Sequence, residues 1–366
     1  MVFNRGNKLI NSNFRTNKMK LENVKTFKYL GFTISAKNCS FLHTIEDLGI
    51  KANRVVYALN NKIKLSKLPT KLALKLFNTL ISPILLYGSE VWGPFTDHDF
   101  VEWDKTKIEQ VHTQFIKRIL GCNFKTSNIM SRGEVGQRPL LIDVLKKTIS
   151  YMQDIQKRKD SLVFKAWEFE LNNNILPNFS LYLRKFDLNP DEFINKSKHT
   201  IKKICHDYYD RVWMLGLQDS PKAISYIIFK NNIKLENYLC QIKNFKHRIA
   251  LSRLRLSSHQ LMIEKGRHMR PKIERNNRTC FHCKDKIENE SHFLTSCPLY
   301  RLERDLLYNV CQENSLNFVN LGDEQKFVFI MSNECPQVIE KVAQYVFNCL
   351  KIRETAITSL TSHPQS

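Results

Sequence analysis

Apolar residues recur at steps of three and four along most of the chain, and this period predicts amphipathic helices. The first such stretch begins near Phe41 and ends near Ile63. Pro69 opens the next one, which is apolar on nearly every side and is expected to be kinked at Pro83. Further helices are predicted from Asp97 or Asp99 to Gly121, from Pro139 to Arg158, and over 162–171, 201–217, 221–230, 245–265 and 336–352.

The first 36 residues have a different pattern, in which β-branched and aromatic residues form short runs. Strand pieces are predicted at 1–3 and 8–10, around the turn-rich sequence NRGN. A second pair is predicted between 18–24 and 26–34, the latter containing TFKYLGFTI. Two hairpins cannot bury a core alone, so we expect this region to be part of a larger fold.

Residues 172–197 are rich in Asn and Pro and are predicted to form a linker or loop between two helical blocks. The second block covers 198–264 and is followed by a cluster of Cys and His at 280–297. The predicted fold class is therefore mainly α, with a small N-terminal β-hairpin region and a small metal-binding unit.

Positive charge is concentrated in two parts of the chain. The formal net charge is +22, and residues 1–40 carry eight Lys or Arg against the single acid Glu22. Between 243 and 278 there are eleven Lys or Arg against Glu264 and Glu274. Clustered cations of this kind favour a phosphate backbone as partner, although a solvated, solubilising surface is the alternative.

Ten Cys occur without the spacing of a disulfide framework, which is typical of an intracellular protein with free or metal-bound thiols. No apolar run approaches the ~20 residues of a membrane span, so no membrane is expected as partner.

One Cys/His group has the spacing of a metal site: Cys280-x2-Cys283-x8-His292-x4-Cys297. Two thiols three positions apart can hold one ion from a tight turn, and a His and a Cys nearby can complete a tetrahedron. Zn²⁺ favours this ligand set, and four protein ligands make a site structural. The alternative is four unrelated residues in a Cys-containing chain, and His282 is a possible competing ligand.

Four segments, in this order, resemble the C-terminal part of LINE-type non-LTR retrotransposon reverse transcriptases. KTFKYLGFTIS at 25–35 is similar to the primer-grip strand, and LISPILLYGSEVWGP at 80–94 is similar to the thumb. IEQVHTQFIKRILG and GEVGQRPL continue the family's order, and the Cys/His group followed by PLYRLER resembles its CCHC unit. The resemblance covers most of the chain, from Met1 to about Leu307.

The resemblance implies six segments and a set of contacts. The segments are a palm remnant at 1–36, thumb-like helices at 37–125, a helical connector at 126–175, a basic helical block at 176–278, the zinc unit at 279–307 and a helical tail at 308–366. The family would use Lys28, Tyr29, Leu30 and Gly31 to position a primer end. Apart from the resemblance, the positive charge of the basic block and the helical spacing within it predict further nucleic-acid contacts, at Arg248, Arg253, Arg255, Arg267, Arg270 and Lys272.

The sequence also departs from that family. Its polymerases hold two Mg²⁺ ions with an adjacent Asp pair and another Asp, and this sequence contains no Asp-Asp. We therefore expect Mg²⁺ only in a full-length parent, and this chain alone to be inactive as a polymerase. The Cys/His group has eight rather than four residues between its second Cys and the His, which puts knuckle-type base recognition in doubt.

Two functional hypotheses follow. The chain could be a nucleic-acid-binding fragment that positions RNA and RNA/DNA hybrid for a retroelement polymerase, or a non-enzymatic RNA-binding zinc protein derived from such an element. The sequence fixes neither the RNA preferred nor the oligomeric state, and it does not separate nucleus from cytoplasm.

Overall fold

A computed structural model describes residues 13–16, 19–36, 41–96, 99–173, 183–184, 189 and 192–362. The protein is mostly helical and has two small β-hairpins near its N-terminus, which confirms the predicted mainly α class. The strand pieces predicted at 1–3 and 8–10 lie outside the described residues, as does most of the predicted linker at 172–197.

Contacts divide the chain into two compact units, each built from separated stretches of sequence. Unit 1 comprises Met1–Lys62, Lys75–His112 and Arg138–Tyr209, and unit 2 comprises Ile63–Leu74, Thr113–Gln137 and Asp210–Ser366.

Unit 1 contains both hairpins and most of the first helices. Its helices are Leu42–Ile63, Ser82–Leu85, Ser89–Trp92, Phe100–Trp103, Leu140–Gln156 and Leu162–Asn172, together with the π-helix Phe77–Ile81 and the 3-10 turns Gly93–Phe95 and Phe193–Asn195. The helices Thr70–Leu76, Lys107–Leu120 and Lys198–Gln218 contribute residues to both units, and Ile63, the last residue of Leu42–Ile63, belongs to unit 2.

The N-terminal hairpins are paired differently from the prediction. Arg15–Thr16 pairs with Met19–Lys20, and Thr26–Tyr29 pairs with Phe32–Ser35, both antiparallel. The run TFKYLGFTI is thus a complete hairpin and not one strand pairing with 18–24. The reason is the two-residue turn Leu30-Gly31, in which both residues have positive φ (46° and 88°), as a tight hairpin turn requires.

This hairpin is attached to neighbouring helices of unit 1 by specific contacts. The hydroxyl of Tyr87 donates to the carbonyl oxygen of Leu30 at 3.0 Å, and the Tyr87 ring stacks on Phe32 with centroids 5.6 Å apart. Thr33 is bonded through its backbone to the hydroxyl of Thr44, and its own hydroxyl donates to Asp47 at 2.8 Å. The turn is therefore held in one place although its side chains are exposed.

Unit 1 has an aromatic core with a buried carboxylate. Trp92 is fully buried. The Glu109 carboxylate is also buried, and it accepts from the indole of Trp103 and the backbone amide of Leu140, each at 2.9 Å. His112 is buried as well and lies 2.9 Å from the same carboxylate, so it is a core residue.

Two predicted helices are not continuous, and in each the break lies where the local sequence favours one. The helix opened by Pro69 changes to the π-helix Phe77–Ile81 just before Pro83, whose ring displaces the regular hydrogen bond. The helix predicted from 97–99 to Gly121 is divided into Phe100–Trp103 and Lys107–Leu120. Asp99 caps the first piece, and Gly121 ends the second with φ of +66°.

Unit 2 is built on the long C-terminal helix Pro336–Ser362, which extends beyond the predicted 336–352. Many of its apolar residues are completely buried, so it is part of the core of this unit. The other elements are the helices Asn128–Glu134, Tyr238–Gln241, Phe245–Arg255, Met262–His268, Glu290–Thr295, Arg301–Asn314 and Asp323–Ser332, and the 3-10 turns Leu65–Lys67, Arg275–Asn277, Pro298–Tyr300 and Leu316–Asn320.

Two predictions for unit 2 are wrong. Residues 221–230 form successive turns and not a helix. The helix expected over 245–265 is broken after Arg255, because Ser257 adopts a left-handed conformation with φ of +49°. The amide of Ser258 then bonds the carbonyl of Arg253 at 2.8 Å, the pattern of a Schellman cap.

Across the described ranges, the helices taken singly are too short or too polar to cross a membrane. Only Thr70–Leu85 and Ser89–Phe95 taken together, a pair bent by 56°, have the length and composition.

Candidate metal centre

The four predicted ligands lie on two short elements of unit 2. Cys280 and Cys283 flank a tight turn, closed by a bond from the Lys284 amide to the carbonyl of Cys280 at 2.8 Å. The helix Glu290–Thr295 presents His292, and Asn289 caps this helix by accepting from the His292 amide at 2.8 Å. The amide of Cys297 bonds the carbonyl of His292 at 3.0 Å, which fixes the last ligand after the helix ends.

The folded chain brings these four side chains together. Their ligand atoms all lie within 4.8 Å of one another, and the sulfur of Cys297 is 3.9 Å from the sulfurs of both Cys280 and Cys283. Three of the four residues are buried and Cys283 is half-buried. A three-sulfur, one-nitrogen group of this size could hold one metal ion.

The orientation of His292 supports a metal site. Its Nδ1 lies 3.0 Å from the hydroxyl of Ser296, whereas its Nε2 is buried and makes no hydrogen bond. A buried, unsatisfied nitrogen beside three sulfurs is costly unless its lone pair is used by an ion. Donation from Nδ1–H to Ser296 would fix the tautomer that leaves Nε2 free for coordination.

The thiols are electrostatically unequal. A hydrogen bond from Cys297, together with the amides of Cys283 and His282, lowers the pKa of Cys280 to about 3. The same bond and burial raise the pKa of Cys297, and burial raises that of Cys283. Cys280 is thus the thiol on which negative charge is most favoured, and an entering cation would displace protons from the cluster.

His282, the possible competing ligand, does not join the cluster. Its side chain is exposed, and the four clustered residues are those predicted from spacing. His282 lies between the two Cys of the turn, but its side chain is exposed, whereas Cys280 is buried and Cys283 is half-buried.

The residues around the cluster make it a part of unit 2. Arg304 donates to the carbonyl of Cys297 at 2.6 Å, and the hydroxyl of Tyr345 donates to the carbonyl of Phe293 at 2.7 Å. Arg353 forms two bonds of 2.7 Å with the carboxylate of Glu288, and both side chains are buried. Sequence reasoning missed these supports because their partners lie up to 65 residues apart.

Cysteine alkylation should distinguish the cluster from the other thiols. Burial raises the pKa of Cys122, Cys205, Cys311 and Cys349 to about 12. At pH 8 only about one in ten thousand of each would be thiolate, so we expect little reaction with iodoacetamide in the folded protein. Peptide mass spectrometry should find modification at the exposed Cys240, and a chelator should add the three cluster thiols. Equal labelling of all thiols before chelation would contradict the structure.

The predicted primer-positioning residues lie together at the end of the second hairpin. Lys28, Tyr29 and Leu30 are exposed, with 58% of Tyr29 and 70% of Leu30 accessible. Gly31 occupies a turn position with positive φ, so its role as a hairpin glycine is established by the backbone itself. These side chains are available to a ligand.

The structure corrects the expectation for Arg248 and Arg255, which were predicted to contact nucleic acid. Arg248 is buried and donates to the carbonyls of Ser66 and Leu68 at 2.9 and 2.7 Å. Arg255 is buried between Glu134 and Glu236. Both guanidiniums are therefore used inside unit 2, because helical spacing alone does not tell which face is covered.

The remaining predicted cations are nearer to solvent. Arg253 is exposed but donates to the carbonyl of Gly121 at 2.7 Å, and Arg267 pairs with Glu264 at 2.9 Å. Arg270 and Lys272 are exposed. The accessible positive charge before the metal cluster is thus concentrated in a shorter stretch than predicted.

Comparisons of the chain with protein-family models, with curated proteins and with solved structures find no match.

Proposed function

We propose that this protein binds nucleic acid through an exposed basic segment, 265–275, that leads directly into the metal cluster. The observation that carries the proposal is the accessibility of Lys265, His268, Arg270 and Lys272, with Arg275 half-buried. Glu274 is the one acidic residue within this segment. Surface cations in such a row neutralise phosphates and release counterions, which gives affinity without base recognition.

The metal cluster has a structural role in this proposal, and Zn²⁺ is the proposed ion. Cys280, Cys283, Cys297 and Nε2 of His292 would hold it, because three sulfurs and one imidazole match its ligand preference. The ion would cross-link the turn that carries Cys280 and Cys283 to the helix Glu290–Thr295 and the residue Cys297 after it. The basic segment would thereby be anchored at its C-terminal end.

The proposed origin is the C-terminal part of a non-LTR retrotransposon reverse transcriptase. The resemblance of four ordered segments supports it, and the exposed Lys28, Tyr29 and Leu30 agree with a primer-positioning turn. In this proposal the chain holds RNA or RNA/DNA hybrid and joins no nucleotides itself. A retroelement-derived RNA-binding zinc protein remains the second candidate, supported by the missing Asp-Asp pair.

Charge reversal tests the proposed surface. We expect R270E/K272E to weaken binding of a fluorescent RNA/DNA hybrid at least about tenfold at low salt, and to reduce the salt slope by about 2. The matched control is K157E/K159E, which reverses two exposed lysines in unit 1. Fluorescence anisotropy across a salt series measures both quantities. Equal losses for the two variants, or no binding by the native protein, would refute the proposed surface.

A primer-extension assay tests the enzymatic part. The native chain with template, primer, nucleotides and Mg²⁺ is expected to give no extended product, because the sequence contains no Asp-Asp pair to hold the two metal ions. Extension that survives purification to homogeneity would exclude both candidates as stated.

A further inference from the structure

A cleft of about 590 Å³ lies in unit 2, and the first part of the basic segment, with Lys265, His268 and Arg270, forms one of its walls. The lining comes from the 123–126 loop, from Lys222, from the 257–260 turn, and from the end of the helix Met262–His268 with the residues after it. The cleft is large enough for a phosphate group with part of a nucleotide, and its walls are rich in hydrogen-bonding groups.

The charge of the cleft is strongly positive. Lys125, Lys222, Lys265, His268 and Arg270 line it. Glu264 is the acid of this lining, and it is held by Arg267 at 2.9 Å. A cavity with several cations and one internally paired carboxylate concentrates anions.

An exposed aromatic ring adjoins these cations. Phe124 is 71% exposed, although it lies between the two cleft residues Asn123 and Lys125. The Lys125 ammonium is 5.9 Å from the centre of the Phe124 ring. A large apolar ring left in water beside a cationic cleft gains free energy when a flat partner covers it.

The loop that carries Phe124 is held in place. The hydroxyl of Ser258 accepts from the backbone amide of Asn123 at 3.1 Å and lies 3.0 Å from the hydroxyl of Thr126. The Asn123 side chain accepts from the Lys125 amide at 2.9 Å, closing a local turn. The Schellman cap at Ser257 and Ser258 therefore fixes one wall of the cleft to the other.

We infer that this cleft is a binding site for single-stranded nucleic acid, in which Phe124 stacks on an unpaired base and the cleft cations hold the adjoining phosphate. The inference rests on the proposed function and adds a preference for single strands. A base inside a duplex is already stacked on both faces, whereas an unpaired base has a free face that can cover the ring. Aromatic rings beside a basic groove are the usual elements of sequence-tolerant single-strand binding.

The test compares two probes on the intact zinc-loaded protein: fluorescein-labelled oligo(U) of twelve nucleotides and a blunt twelve-base-pair RNA/DNA hybrid. We expect Phe124→Ala to weaken oligo(U) binding by about fivefold to a hundredfold and hybrid binding by less than about twofold. Phe124→Leu should resemble the alanine variant, whereas Phe124→Trp should retain oligo(U) affinity. Phe169→Ala is the control, because this ring in unit 1 is 62% exposed.

The phosphate part of the inference has its own variants. K125Q/K265Q should reduce the salt slope for oligo(U) by about 1.4, whereas K243Q/K246Q, two exposed lysines of the same unit outside the cleft, should not. Unchanged oligo(U) affinity in Phe124→Ala, or an equal loss on both probes with normal zinc content and thermal midpoint, would overturn the inference while the proposed function stands. Failure of the native protein to bind either probe would overturn both.

Discussion

Cys297→Ser is expected to abolish metal binding and to unfold the metal-binding part of unit 2. Cys297 is completely buried, and its sulfur is 3.9 Å from those of Cys280 and Cys283. A serine hydroxyl is a poor ligand for a thiophilic ion, so the cluster would lose one of four bonds. Structural zinc in small units contributes about 10–16 kcal/mol of apparent binding free energy, most of which becomes folding free energy.

The effect should extend beyond the ligands because the cluster is attached to the core. Arg304 reaches the carbonyl of Cys297, and Tyr345 reaches that of Phe293 on the ligand-bearing helix. When the turn and this helix separate, these buried donors lose their acceptors, at about 1–3 kcal/mol each. Since a domain is stable by only about 5–15 kcal/mol, we expect the variant to be partly unfolded at 25 °C.

The measurements are metal content by atomic emission and stability by circular dichroism during urea unfolding. Native protein should contain one zinc per chain, and Cys297→Ser close to none. Cys240→Ser is the matched control, because Cys240 is exposed and outside the cluster. Ser296→Ala should keep the ion but bind it about 10- to 100-fold more weakly, since it releases the His292 ring. A Cys297→Ser protein with native zinc content and stability would exclude this metal centre.

Arg255→Met is expected to lower the free energy of unfolding of unit 2 by about 3–5 kcal/mol. The Arg255 guanidinium is buried, forms an ion pair with Glu134 and lies 2.8 Å from the carboxylate of Glu236. Its removal leaves Glu134 buried with the hydroxyl of Tyr226 as a remaining donor, at 2.9 Å. The charge balance of this cluster explains why the pKa of Arg255 is raised despite its burial.

A double-mutant cycle distinguishes loss of the arginine from loss of the pair. Glu134→Gln should also be costly, but R255M/E134Q should be more stable than the sum of the two single variants predicts, because no unpaired charge remains. Lys243→Met, a surface change in the same unit, should lie within about 0.5 kcal/mol of the native protein. Urea unfolding monitored by tryptophan fluorescence gives all four values. An Arg255→Met cost no larger than that of the control would contradict the buried network.

The sequence predicts correctly those features that depend on residues close together in the chain. The apolar period predicts most helices, including Leu42–Ile63, Leu140–Gln156 and Lys198–Gln218, because the period of an amphipathic helix is a property of one segment. The spacing of Cys280, Cys283, His292 and Cys297 predicts the cluster for the same reason, since the four ligands lie within eighteen residues.

The secondary-structure predictions that were wrong failed for local and for long-range reasons. Residues 26–34 contain a hairpin turn, but their β-branched and aromatic residues are typical of one continuous strand. Gly31 is the one residue in this run that indicates a turn. The break after Arg255 depends on Ser257 adopting positive φ, which is uncommon for a residue with a side chain. Neither conformation is favoured by the residue types alone, and both are stabilised by contacts made after folding.

The sequence by itself determined the helical class, the Cys/His set that could hold a metal ion, and the excess of positive charge. Only the tertiary structure decided which cations are accessible. Arg255 pairs with Glu134, which lies 121 positions earlier in the sequence, whereas Arg270 and Lys272 are exposed. Phe124 lies beside the cleft because the amide of its neighbour Asn123 donates to the hydroxyl of Ser258, 135 positions away. The physical reason is that helical phase depends on residues three or four apart, while burial of a charge depends on a partner that the sequence pattern does not bring near.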